Sequence, residues 1–189
     1  MSSNISLKVI NIFNAIGFQI GWFICILKGN FLGLAFAIIF TITQLFLLYL
    51  YSDKFLLKKE IFWLMVIIII GFCIETLFFS SGILYEYIHP AVPMHFVAPP
   101  LWIIYLWLLF ATALRTSLSF LFNKHWIVYL VTAIAAPSSY FAGDHLNTTV
   151  NINEPIAISL VIIGLVWIFT LWIIKNLKHY YFEDIFHGY

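Results

Sequence analysis

Residues 61–84 read IFWLMVIIIIGFCIETLFFSSGIL, an apolar run interrupted by one charged side chain, Glu75. A helix rises about 1.5 Å per residue, so this run alone exceeds the roughly 30 Å hydrocarbon core of a bilayer. Five comparable runs flank it, and the sequence predicts helices over 9–27, 31–51, 61–84, 99–122, 126–142 and 155–175. Lys28-Gly29-Asn30 turns the first into the second, a charged loop spans 52–60, and a longer connection spans 85–98. Pro99 and Pro155 suit helix starts, because a proline lacks the N–H that would have no intrahelical partner there. The expected fold is all-α: one polytopic transmembrane domain of six helices, with residues 176–189 as a short polar and aromatic cytoplasmic tail.

Composition points the same way. Hydrophobic residues make up 63% and charged residues 9%, with mean hydropathy +1.03. Soluble domains carry roughly 45–50% apolar and about 25% charged residues, and could not cover this much apolar side chain. A net charge of +1 and scattered basic residues give no case for nucleic acid as a partner. Cys25 and Cys73 fall inside expected spans and read as small apolar fillers, with a disulfide or metal pair the minority alternative. The run after Lys8 contains Asn11, Asn14 and Gln19 and has no small-x-small cleavage site, so it is expected to stay as a helix.

Basic residues set the expected orientation. Lys8, Lys54, Lys58, Lys59, Lys124, Lys175 and Lys178 lie on the side that holds both termini, and Lys28 lies opposite. Both termini are therefore expected in the cytoplasm. Tyr49, Tyr51, Trp63, Trp126 and Trp172 are placed near the inner interface, and Tyr85, Tyr87 and Trp102 near the outer one. The two halves of the chain share no spacing of Gly, Pro or polar residues, which lowers the case for an inverted-repeat transporter.

Glu75 sits about 21 Å above the cytoplasmic start of its helix, in the outer half. A charged carboxylate at such depth costs about 3 kcal/mol on insertion scales, so the face with Glu75, Gly71 and Gly82 should turn into the bundle. Arg115, about 10 Å from the inner face, is too distant in depth for an easy ion pair with Glu75. It shares a layer with Asn14, Gln44, Thr132 and Thr170, and Thr112, Thr116 and Ser119 extend the polar stripe on its own helix. Those acceptors would suit the five donors of a guanidinium, and snorkelling to cytoplasmic phosphates is the alternative.

Pro137, in Ala136-Pro137-Ser138-Ser139-Tyr140, cannot donate to the carbonyl of Ala133, so a kink or break is expected there. Tyr140 falls at about the depth of Glu75, with Trp22 and Trp107 near the same layer. Glu75, Tyr140, Ser138, Ser139, Trp22, Trp102 and Trp107 are therefore the candidate ligand-binding residues. An ordinary proline kink, with the serines repairing the backbone, is the plainer reading. Outside the spans, Glu86, His89, His95, Asp144, His145 and Glu154 lack the spacing of a zinc motif; no metal and no cofactor are expected. Gly17-Phe18-Gln19-Ile20-Gly21 is a small-xxx-small pattern, read as internal packing rather than a dimer face.

Pro99-Pro100-Leu101-Trp102, residues 106–114 and Ser117-Leu118 resemble an uncharacterised family of small bacterial inner-membrane proteins, that of domain of unknown function twenty-eight seventy-eight. Phe18-Gln19-Ile20-Gly21-Trp22-Phe23 resembles that family's opening helix. Residues 136–143 resemble its Gly-Pro-x-x-Tyr-x-Ala-Gly stretch, with Ala136 in place of the first glycine. Residues 71–82 resemble its third segment, with Glu75 where the family carries Asp. Family members are often encoded beside fatty-acid-modifying methyltransferase-like and flavin-oxidoreductase-like genes, so the resemblance implies a lipid-related role in the bacterial inner membrane.

No motif names a reaction. The leading expectation is a membrane protein that binds, or assists modification of, a lipid-like molecule in an outer-half cavity, with the bilayer itself as its main partner. The alternatives are an intramembrane lipid-modifying enzyme using Glu75 with Asp144 or His145, a small proton-coupled transporter, and a structural subunit of a complex with another membrane protein.

Overall fold

The computed structural model describes residues 2–52, 55–86, 97–123, 125–146 and 150–186, with side chains from residue 8 onward. It is 84% helical. The helices are α1 (Ser2–Tyr51), α2 (Leu57–Ser80), α3 (Leu101–Arg115), α4 (Ile127–Leu146), α5 (Ile156–Tyr181) and a short α6 (Glu183–Phe186). Among the described residues three segments are long and apolar enough to cross a membrane: Lys8–Tyr51, Leu57–Ser80 and Ile156–Tyr181. Leu101–Arg115 is apolar but shorter.

Helix α1 is a hairpin rather than a single rod. Gly29 adopts φ 66°, ψ −146°, a backbone state that suits a residue without Cβ, and the chain folds back there. The arms pack antiparallel: Gly17 faces the Phe40 ring, Gly21 faces Phe36, and Gly33 faces Cys25. Phe13 and Phe36 both stack on Phe40. The glycine pair 17 and 21 thus serves internal packing. Both cysteines are free, Cys25 buried and Cys73 exposed.

Helix α3 is the centre. Nine of its fifteen residues are buried, between α1 on one side and α2 on the other. Its N-terminus has no side-chain cap of its own; the Trp102 N–H donates to Asn30 Oδ1 at 3.2 Å, so the α1 hairpin supplies the acceptor. On α2 the buried residues Glu60, Trp63, Ile67, Gly71, Ile74 and Phe78 recur every three or four positions, one helical face. Helices α4 and α5 pack on each other, with Gly164 against the Ala133 carbonyl and Pro137.

Several expected boundaries are corrected. The fourth helix does not reach 122: it ends at Arg115, and Ser119–Phe122 forms a 3-10 turn. The third ends at Ser80, so Gly82 lies in a turn at φ 76° instead of sharing the Glu75 face. After that turn, Leu84–Glu86 pairs antiparallel with Val150–Ile152, a two-stranded ribbon too short to leave a strand pattern in the sequence. Helix α4 does not break at Pro137 but runs on to Leu146. A proline deletes one hydrogen bond, and the Ala133 oxygen it frees would lie 3.0 Å from a Cβ placed on Gly164, so α5 closes over it. The C-terminal segment is no free tail: Phe182, Ile185 and Phe186 are buried, with Phe182 and Phe186 edge-on to Trp63. Trp63 itself is fully buried and donates to the Ala111 carbonyl at 3.0 Å, so its ring packs in the core.

Candidate functional site

Glu75 is 1% exposed, and α2, α3 and α4 meet around it. The Tyr140 hydroxyl donates to its Oε1 at 2.5 Å and the Trp107 indole N–H donates to the same oxygen at 2.9 Å. Its Oε2 is buried and bonds no described residue. Gly71, one turn before Glu75, admits the indole of Trp107, which a Cβ there would overlap. Trp107 stacks on Trp167 of α5 with ring centroids 5.0 Å apart, and Phe110 sits edge-on to both. Large rings thus fill the space between α3 and α5, whereas α3 meets α1 closely enough for glycines to matter.

A cavity of about 120 Å³ opens beside this carboxyl. Six of the seven candidate ligand-binding residues line it: Glu75, Tyr140, Ser139, Trp22, Trp102 and Trp107. Ser138 does not; it is exposed, and its hydroxyl donates back to the Ile134 carbonyl at 2.7 Å, as expected beside a proline. The Trp22 indole N–H donates to Ser139 Oγ at 3.0 Å and ties the first arm of α1 to α4. Asp144 and Asn151 line the same cavity, and the Asn151 amide nitrogen is buried and bonds no described residue. Trp167 and Phe18 also line it. The signal for Trp167 was its position midway along an apolar run, where a tryptophan is far from either interface.

The polar layer near the other end is arranged differently from expectation. Arg115 is buried, its Nε donates to Glu60 at 2.9 and 3.1 Å to the two oxygens, and its guanidinium lies over the Phe186 ring. Glu60 was expected in the loop; it lies in the first turn of α2 on the inward face. Asn14 bonds Thr112 and Ser117 instead, at 3.2 and 2.6 Å. Thr116, Thr132 and Thr170 each donate to a carbonyl of their own helix one turn back. The Gln44 amide is buried and bonds no described residue. Arg115 and Glu75 thus belong to separate clusters.

Among the outer groups, Asp144 Oδ1 accepts from the Ile152 N–H at 2.9 Å, holding the ribbon on α4, and the exposed His145 ring bonds the Phe141 carbonyl. Glu154 accepts from the Ile156 N–H at the start of α5. His89, His95, Tyr87, Lys54 and Lys124 lie outside the described residues. Among the described residues no group of three His, Cys, Asp or Glu is placed to hold a metal ion.

Apolar helices of this length, with polar groups turned inward, make the chain a helical membrane protein by length and composition. It belongs to the family described as "Protein of unknown function (DUF2878)", whose model matches residues 11–173. No curated protein and no solved structure matches it.

Proposed function

We propose that the protein crosses the bacterial inner membrane six times and binds, or assists modification of, a lipid-like molecule in the cavity beside Glu75. The crossings would be the two arms of α1, then α2, α3, α4 and α5. The basic loops would place both termini in the cytoplasm and the Gly29 turn and β-ribbon outside. The observation that carries the reading is the carboxyl itself. Glu75 is buried, lines a cavity walled mainly by aromatic rings, and keeps one oxygen that bonds no described residue. Buried polar atoms are normally satisfied, so an exception beside a cavity supports a ligand that completes the set.

Native mass spectrometry of the protein extracted in its own lipids tests this. Glu75→Gln is expected to change the copurifying lipid profile; an unchanged profile together with unchanged thermal stability would count decisively against the reading. A second reading, an enzyme, draws on Asp144 lining the same cavity, which supplies two carboxyls for acid–base work. Lipid analysis of a deletion strain separates the two, since only loss of an enzyme leaves a lipid substrate accumulating.

A further inference from the structure

A second space adjoins the first. A groove of about 520 Å³ runs along α4 from Ala142 to Val131, and it shares Phe18, Trp22, Phe110, Ser139, Tyr140 and Trp167 with the Glu75 cavity. Val131 to Ala142 covers eleven helical steps, so the groove is about 16 Å long. Val131 and Phe120 on its edge are 44% and 48% exposed, so it opens sideways, onto the surface that lipid would cover. The inner cavity, at about 120 Å³, is smaller than the roughly 150 Å³ that admits benzene, and holds a head group but no chain. The groove has the opposite character: long, walled by Phe18, Leu118, Leu121, Leu171 and Ile174, and adjoining the head-sized space across the Trp22–Ser139 hydrogen bond, which must open for one molecule to occupy both.

The chemistry of the head follows from what lines the cavity. No Lys, Arg or His is among the described residues lining either space, while Glu75 and Asp144 line the inner one. An anionic head, phosphate or carboxylate, would be desolvated there beside acids and without a cation. Three buried atoms of the lining residues bond no described residue: one acceptor, Glu75 Oε2, and two donors, Asn151 Nδ2 and Trp167 Nε1. A hydroxyl both donates and accepts; an ammonium only donates. We infer that the ligand is a single-chain amphiphile with an uncharged hydroxyl head, the head in the Glu75 cavity and the chain in the groove along α4. This deepens the proposed lipid-binding function and rests on it.

The full chain in phosphatidylcholine nanodiscs, free of detergent, serves for the test. Chain-brominated hexadecanol, palmitate and hexadecane are titrated, and quenching of tryptophan fluorescence reports occupancy. Hexadecanol is expected to quench saturably and to bind at least about tenfold more tightly than the other two. Palmitate binding as well as hexadecanol overturns the head assignment. Ala135→Phe, which fills the groove, is expected to weaken hexadecanol about tenfold and to leave displacement by hexanol unchanged. Val131→Trp at the far end carries the same test if Ala135→Phe does not fold. Hexadecanol affinity unchanged in the folded groove variant overturns the chain assignment alone. Glu75→Met, made with Tyr140→Phe so that no phenol is stranded, is expected to abolish saturable binding of both alcohols. If that double variant binds every probe as the parent does, the cavity is not the site and the underlying reading falls with it.

Discussion

Tyr140 donates to Glu75 Oε1 across 2.5 Å although 65 residues separate them in the chain. The bond links α4 to α2, two helices whose backbones are otherwise not close neighbours, and it does so at the wall of the inner cavity. The same oxygen takes the Trp107 N–H, so one carboxylate oxygen anchors three helices while the other bonds no described residue.

Tyr140→Phe removes one of the two donors and leaves Trp107 in place. The expected cost is about 1–2 kcal/mol, at the upper end for a hydrogen bond inside a membrane bundle. Thermal unfolding in a fixed lipid environment measures it, and a double-mutant cycle with Glu75→Gln should show the two effects failing to add. Additive losses would mean the pair is a contact without energetic weight.

Gly71→Ala should destabilise by about 1–3 kcal/mol, because the new Cβ overlaps the Trp107 ring and forces it off Glu75. Gly143→Ala is the matched control. Its nearest neighbour would be Ile26 Cδ1 at 3.8 Å, so the gain in helix propensity, about 0.5–1 kcal/mol, should show as a small rise in melting temperature. Equal effects at the two positions would contradict the packing described.

Glu60→Ala removes the buried carboxylate that Arg115 Nε donates to and is expected to cost about 3–5 kcal/mol. Replacing both partners with apolar residues, Glu60→Leu with Arg115→Met, should recover most of that loss, since an absent pair is cheaper than a broken one. Denaturation of the single and double variants decides it.

The C-terminal segment supplies a pH dependence. Its exposed Asp184 pairs with Lys59, whose ammonium holds the carboxyl below its ordinary value of 3.8. A depressed carboxyl stabilises docking fully above the unfolded value and loses that contribution as pH falls through the folded one. Exchange protection of residues 182–186 should therefore be flat from neutral pH down to about 4 and decline only below it. The decline should be shallow, because both partners are exposed and solvent screens them. Asp184→Asn should remove it.

Glu75, Tyr140 and the tryptophans were legible because depth along a membrane helix can be counted at a fixed rise, and an ionisable group among apolar residues has few tolerable positions. Counting depth also separated Arg115 from Glu75. It could not supply Glu60, since a carboxylate at a helix start looks the same whether it faces water or turns inward. The same blindness hid the burial of Trp63 against the C-terminal segment, which depth along the helix does not reveal.

The helical class, its membrane character and the sites of chain reversal near Gly29 follow from the sequence, because burying backbone polar groups in an apolar medium leaves helix as the local solution. Which polar groups meet was decided by tertiary structure alone. Rotation of each helix about its axis depends on facing side chains, such as Gly71 receiving Trp107, and no single run carries that information. The docking of α6 on Trp63, the β-ribbon and the cavity itself are of the same kind: each is a relation between distant segments that exists only once the helices have packed.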